Sequence, residues 1–69
     1  MCQMIVFIEK NGDQKVVMEN VTLLEAVEGD ISVSSLFDEP VRIPAVFVKK
    51  IDFSGGTVLL SPSGGENNG

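Results

Sequence analysis

Between Gln3 and Ser61 a turn signal cuts the chain about every eight to twelve residues, and no stretch between cuts carries a sustained helical period. Gln3 to Glu9 is rich in Ile, Val and Phe and reads as a first strand. Lys10-Asn11-Gly12-Asp13 follows, and its Asn-Gly pair is the strongest short hairpin signal because both residues tolerate positive φ. Gln14 to Met18 returns as a second strand, Glu19-Asn20 marks a corner, and Val21 to Glu28 forms a third. Helix formers at Leu23-Leu24-Glu25-Ala26 leave local helical character open there. Gly29-Asp30 turns the chain into Ile31 to Phe37, and Asp38-Glu39-Pro40 turns it again. Val41 to Phe53 is the longest strand expected, with Pro44 inside it. Proline cannot donate to a ladder, so Pro44 marks an edge, a bulge or a bend between two sheet halves. Ser54-Gly55-Gly56 is the last turn and Thr57 to Ser61 the last strand.

This punctuation predicts an all-β fold, a small antiparallel barrel of five or six strands of the SH3/Sm-like kind. The domain covers residues 1–61, and residues 62–69, made of Gly, Ser, Asn, Pro and one glutamate, form a flexible, disordered tail. With 69 residues the chain sits near the size where one core alone is marginal.

Several strands are apolar on both faces. Met4, Val6 and Ile8 alternate with Ile5 and Phe7, and Ile43, Ala45, Phe47 and Ile51 with Val46 and Val48. A sheet solvated on one side would alternate cleanly between apolar and polar residues. A second apolar face needs a cover, and a two-fold related copy of the same chain is the expected one. The four phenylalanines, set among Ile and Val, are expected in the core.

Charge and targeting narrow the partners. Ten acidic against five basic residues give a net charge of −5, with only Lys10, Lys15, Arg42, Lys49 and Lys50 available to meet phosphates. That balance argues against nucleic-acid binding driven by counterion release. No apolar run approaches the roughly 20 residues of a membrane span, and no secretory signal precedes the first strand. A single cysteine cannot close an internal disulfide, and a reducing cytoplasm is the expected location.

That cysteine, Cys2, stands directly behind Met1, and the chain has no histidine. If two subunits pair near their amino termini, each brings one thiolate and one main-chain nitrogen. Four such donors suit a square-planar site for nickel(II) or copper(II). Removal of Met1 would free the Cys2 α-amine, which closes a five-membered chelate with its own thiolate. The plain alternative is a lone cysteine acting as a small buried hydrophobe. Other candidates are weaker. Glu28, Asp30, Asp38 and Glu39 flank turns without calcium-loop spacing. Met1, Met4 and Met18 offer thioethers but fit core filling. Ser32, Ser34 and Ser35 lack a histidine base, and neither Gly55-Gly56 nor Gly64-Gly65 leads into a phosphate-loop Lys-Ser or Lys-Thr. No nucleophile–base pair is recognisable, so the chain does not read as an enzyme.

Met18-Glu19-Asn20-Val21, Glu28-Gly29-Asp30, Leu36-Phe37-Asp38-Glu39, Lys50-Ile51-Asp52-Phe53 and Val58-Leu59-Leu60 follow the Met-Cys start in order. Taken together from Met1 to about Ser61, this series resembles the CooT-type family of small nickel-binding proteins. In many relatives glycine follows Leu-Phe; Asp38 stands there in this chain. The resemblance implies a small β-barrel homodimer that binds one Ni2+ through the pair of Cys2 residues. It also implies a role as accessory or carrier to a nickel-requiring client enzyme such as carbon monoxide dehydrogenase. Family members have also been labelled predicted RNA-binding proteins. Two further readings therefore stand beside nickel delivery: a small-barrel RNA-binding module stacking bases on Phe7, Phe37, Phe47 or Phe53 beside Arg42, Lys49 and Lys50, and a structural module for protein partners.

Overall fold

The structure, a computed structural model, describes residues 3–63, which form six strands and no helix. They are β1 (Met4–Lys10), β2 (Asp13–Val27), β3 (Asp30–Ser35), β4 (Val41–Ile43), β5 (Val46–Asp52) and β6 (Thr57–Pro62). All belong to one sheet in the order β4-β3-β2-β1-β6-β5. Right-handed strand twist coils a sheet of this size, and the coiling brings β3 into contact with β5 although β2, β1 and β6 lie between them in the sheet. The all-β expectation therefore holds, as a curled half-barrel whose two edges are β4 and β5. One pairing departs from the antiparallel expectation: β1 and β6 run parallel, Ile5 opposite Thr57 and Ile8 opposite Leu60.

Two hairpins carry the local signals that produce them. Asn11 (φ 52°) and Gly12 (φ 84°) join β1 to β2, and Glu28 (φ 49°) and Gly29 (φ 85°) join β2 to β3. Positive φ at both central residues is what a two-residue primed turn demands. The second turn lies one residue earlier than Gly29-Asp30, and its first position is filled by glutamate, a residue with no special tolerance for the left-handed region.

The expected corner at Glu19-Asn20 is present, but inside one continuous strand. Against β1, Met18 faces Val6 and Val21 faces Met4, so β2 carries an extra residue in that interval. A second irregularity follows between Val6 and Phe7, and a third against β3 between Val21 and Leu23. Asn20 takes the bulge conformation at φ 59°, which asparagine accepts more readily than most residues. Each extra residue sharpens the bend and twist. β2 therefore pairs β1 with its first half and β3 with its second, and serves both flanks of the half-barrel. The bending strand was expected at Val41 to Phe53. There the chain instead breaks at Pro44-Ala45 into β4 and β5, with Ala45 at φ 56°.

The core gathers where the sheet curls on itself: Val6, Val21, Ile31, Val33, Val46, Val58 and Leu60, with Val6, Val33 and Leu60 wholly enclosed. Met4, Ile8, Val17, Met18, Leu24, Ile43 and Val48 pack around them. β3 alternates cleanly, Ile31 and Val33 buried and Ser32 and Ser34 half-buried on the other face. Each wholly enclosed aliphatic side chain stabilises the fold by about 1.5–3 kcal/mol. Lys49 Nζ, 3.0 Å from Glu9 Oε2, ties β5 to β1 across β6, an exposed pair of small net value. At the carboxyl end Pro62 pairs with Val46, and Ser63 N donates to Ala45 O at 2.9 Å. The first two residues of the expected tail are thus held by Ala45 and Val46, and residues 64–69 lie outside those described.

Candidate functional site

The amino-terminal end of β1 is built against the β5–β6 turn. Ile5 N donates to Gly56 O at 2.9 Å, and Gly56 N in turn donates to Asp52 O at 2.8 Å. Gly56 needs its freedom here, since it sits at φ 72° while its Cα face approaches Gln3 O. The turn is locked from within by Asp52, whose Oδ1 accepts from Gly55 N at 2.9 Å and from Ser54 Oγ at 3.0 Å. The Gly55 amide, then the Ser54 hydroxyl, hold the Asp52 carboxyl below the ordinary aspartate range. A Cβ at position 55 would lie 2.8 Å from Asp52 Oδ2, so glycine lets the carboxylate fold over the turn.

Between this turn and the second half of β2 runs an open groove of about 790 Å³, lined chiefly by Gln3, Met4, Leu23, Leu24, Ile51 and Phe53. Leu23, Ile51 and Phe53 are 52%, 45% and 83% exposed, so its walls are apolar and wet. Exposed apolar patches of this kind mark interaction surfaces. The third bulge of β2 aims this stretch: with Leu23 against Ser34 and Val21 against Ser35, Leu23 stays exposed beside half-buried Leu24. The sequence alone does not mark Leu23 or Ile51 as groove residues, because an apolar residue in a strand reads as core. The Leu23-Leu24 doublet, which breaks strict alternation, is the signal that could have exposed the first.

The sequence candidates scatter. Cys2 and Met1 lie outside the described residues; Gln3, the chain neighbour of Cys2, is exposed on the groove rim. Met4 and Met18 are half-buried core filler. Asp30 is half-buried and committed to structure: Oδ1 accepts from Ala45 N at 2.9 Å and Oδ2 from Arg42 Nε at 2.8 Å. The Ala45 amide and then the Arg42 guanidinium draw its carboxyl down from the usual range. Asp38 Oδ2 accepts from Ser35 Oγ at 3.2 Å, while Glu28 and Glu39 are exposed in separate turns. Among the described residues no group of three Cys, Asp or Glu side chains comes close enough to hold a metal ion. Ser32 and Ser34 line a strand face, and Gly55-Gly56 closes a hairpin; Gly64-Gly65 lies outside the described residues.

The phenylalanines depart from expectation. Phe37, Phe47 and Phe53 are 79%, 46% and 83% exposed, and Phe7 is half-buried. Loop and turn positions place Phe37 and Phe53 beyond the reach of the core. Asp38 follows the first and Asp52 precedes the second, and Arg42 and Lys49 are engaged by Asp30 and Glu9. Carboxylates beside the aromatic rings oppose a phosphate backbone. No described segment is a helix long and apolar enough to cross a membrane.

Comparison with known proteins agrees with the resemblance read from the sequence. The model of the family described as CO dehydrogenase accessory protein CooT matches residues 1–61. The fold is similar to the crystal structure of a candidate CooT from Carboxydothermus hydrogenoformans, with a TM-score of 0.79 at 17% identity, covering 91% of this chain and 100% of that one. No sequence among proteins of curated function matches this one.

Proposed function

This chain belongs to the CooT family of CO dehydrogenase accessory proteins, and from that membership we propose that it carries nickel(II), one ion per homodimer, on the pair of Cys2 residues. The observation that supports this most is the anchoring of β1. The Ile5–Gly56 hydrogen bond fixes where the chain enters the sheet, and Gln3 lies on the rim of an exposed apolar groove. A second copy seated on Leu23, Ile51 and Phe53 would cover that groove and bring two amino-terminal segments together about a two-fold axis.

The donor chemistry favours the same arrangement. One thiolate with its own nitrogen fills only half of a square plane. The partner subunit would supply the other half. A free thiol titrates near ~8.5, and a divalent ion displaces that proton as it binds. Zinc, with its tetrahedral preference and demand for more thiolate or imidazole donors, fits the set less well. The protein supplies ligands and a client-facing scaffold; the redox chemistry belongs to the enzyme it serves.

Calorimetric titration of nickel into the wild type and Cys2→Ser, with native mass spectrometry of both, tests the assignment. The expected result is one nickel per dimer for the wild type and a loss of at least tenfold in affinity for the variant. Undiminished affinity in Cys2→Ser removes the site.

A further inference from the structure

The turn from β3 to β4 holds the one pair of consecutive large apolar side chains, among the described residues, that both stand in solvent: Leu36 is 77% and Phe37 79% exposed. Nothing about the pair is loose. Ser35, the last residue of β3, accepts through Oγ from Phe37 N at 3.1 Å and from Asp38 N at 3.0 Å, and donates to Asp38 Oδ2 at 3.2 Å. Pro40 stiffens the chain on the far side. A hydroxyl that captures two successive amides forms a tight turn, and here it keeps both side chains off the core. A preorganised aromatic tip loses little freedom on docking, which is what makes such residues effective anchors.

Its electrostatic surroundings are one-sided. Asp38 and Glu39 follow the tip and are exposed. Between Lys15 and Arg42 the chain has no Lys or Arg, while Glu19, Glu25, Glu28, Asp30, Asp38 and Glu39 fall within it. Arg42, the first base beyond, donates to Asp30. Glu28 and Asp30 belong to the opposite end of β3, so the charge directly beside the apolar tip is the negative charge of Asp38 and Glu39. Anionic headgroups and nucleic-acid phosphates are opposed there, and so is the same flank of a second copy.

We infer that Leu36 and Phe37 form a docking anchor that enters an apolar pocket rimmed by Lys or Arg side chains on the client enzyme. This rests on the accessory-protein reading and uses no residue of the proposed metal site, although the tip follows Ser35, whose ladder partner Val21 lines the groove. Asp38 and Glu39 would meet the basic rim, steering association and making it sensitive to salt.

Biolayer interferometry against immobilised CO dehydrogenase lacking nickel tests the inference, using wild type, the double variant Leu36→Ala/Phe37→Ala, and Glu39→Lys. Both variants change exposed side chains and leave the Ser35 turn intact. The expected result is at least a tenfold weaker Kd for the double variant, and for Glu39→Lys a lower association rate with a shallower salt dependence. Nickel stoichiometry and sedimentation coefficient stay at wild-type values. Wild-type affinity in the double variant overturns the anchor and leaves the accessory role standing. Failure of the wild type itself to bind overturns both. A double variant that sediments as a smaller species assigns the tip to self-association and overturns the inference.

Discussion

Asp30 Oδ1 accepts a hydrogen bond at 2.9 Å from the backbone nitrogen of Ala45, a residue held at φ 56°. One carboxylate at the start of β3 thereby secures the left-handed residue at which the chain passes from β4, at one edge of the sheet, to β5 at the other. Ala45 O completes the clamp by accepting from Ser63 N. Asp52 does the same kind of work in the β5–β6 turn. Both carboxyls are therefore stronger acids in the folded chain than in the unfolded one.

Acid should expose this dependence. A carboxyl with a lowered folded pKa stabilises fully above its unfolded value, near ~3.9 for aspartate, and loses that contribution as pH falls through the folded value. The melting temperature should stay level from neutrality to about pH 5 and fall below about pH 4. Asp30→Asn/Asp52→Asn should melt lower at neutral pH and lose less on acidification. Circular dichroism melts across that range check the prediction; parallel acid profiles for the two proteins would contradict it.

Glu28 occupies a turn position that suits asparagine. A non-glycine residue in the left-handed region costs roughly 1–2 kcal/mol, and asparagine recovers part of this. Glu28→Asn should therefore raise the stability to urea by about 0.5–1 kcal/mol. An unchanged or lower midpoint would mean that the glutamate has compensating contacts.

The core is small enough for single truncations to be decisive. Leu60 is wholly enclosed, and Leu→Ala at such sites costs about 2–5 kcal/mol. A single core in a chain this short rarely supplies more than about 3–5 kcal/mol. Leu60→Ala should therefore be largely unfolded at 25 °C unless a partner subunit rescues it, which concentration-dependent melting would reveal.

Groove residues should behave in the opposite way. Leu23→Asp/Ile51→Asp changes exposed side chains, so the fold should survive nearly intact, each substitution within about 0.5 kcal/mol. The proposed homodimer should weaken by at least tenfold, about 1.4 kcal/mol, when followed by sedimentation velocity. A dimer indifferent to both charges would place the interface elsewhere.

Much of this architecture was legible from the punctuation of the chain. Asn11-Gly12, Gly29 and Gly55-Gly56 sit where the strands reverse. Pro44 did break the longest apolar run, although it separates two strands at opposite edges of the sheet instead of bending one. The merger of two expected strands into β2 was hidden because bulges are set by what lies across the ladder, not by local propensity. Asn20 was a faint trace of it. Parallel pairing of β1 with β6 was illegible for the same reason: each strand is compatible with either direction. Hydrophobicity assigns Phe37 and Phe53 to the core because it reports what a side chain favours, whereas the turns carrying them hold them away from it. The groove came from register, which no single residue announces.

The parallel β1–β6 ladder has a consequence for how this molecule is made. Strands from opposite ends of the described chain lie side by side at the middle of the sheet, with Val6 beside Val58. No nascent polypeptide lacking Thr57–Pro62 contains this sheet, so its completion waits until β6 has been synthesised and is free to pair with β1. Until then Ile5 lacks the Gly56 carbonyl that anchors it, and β1 stands without one of its two neighbours.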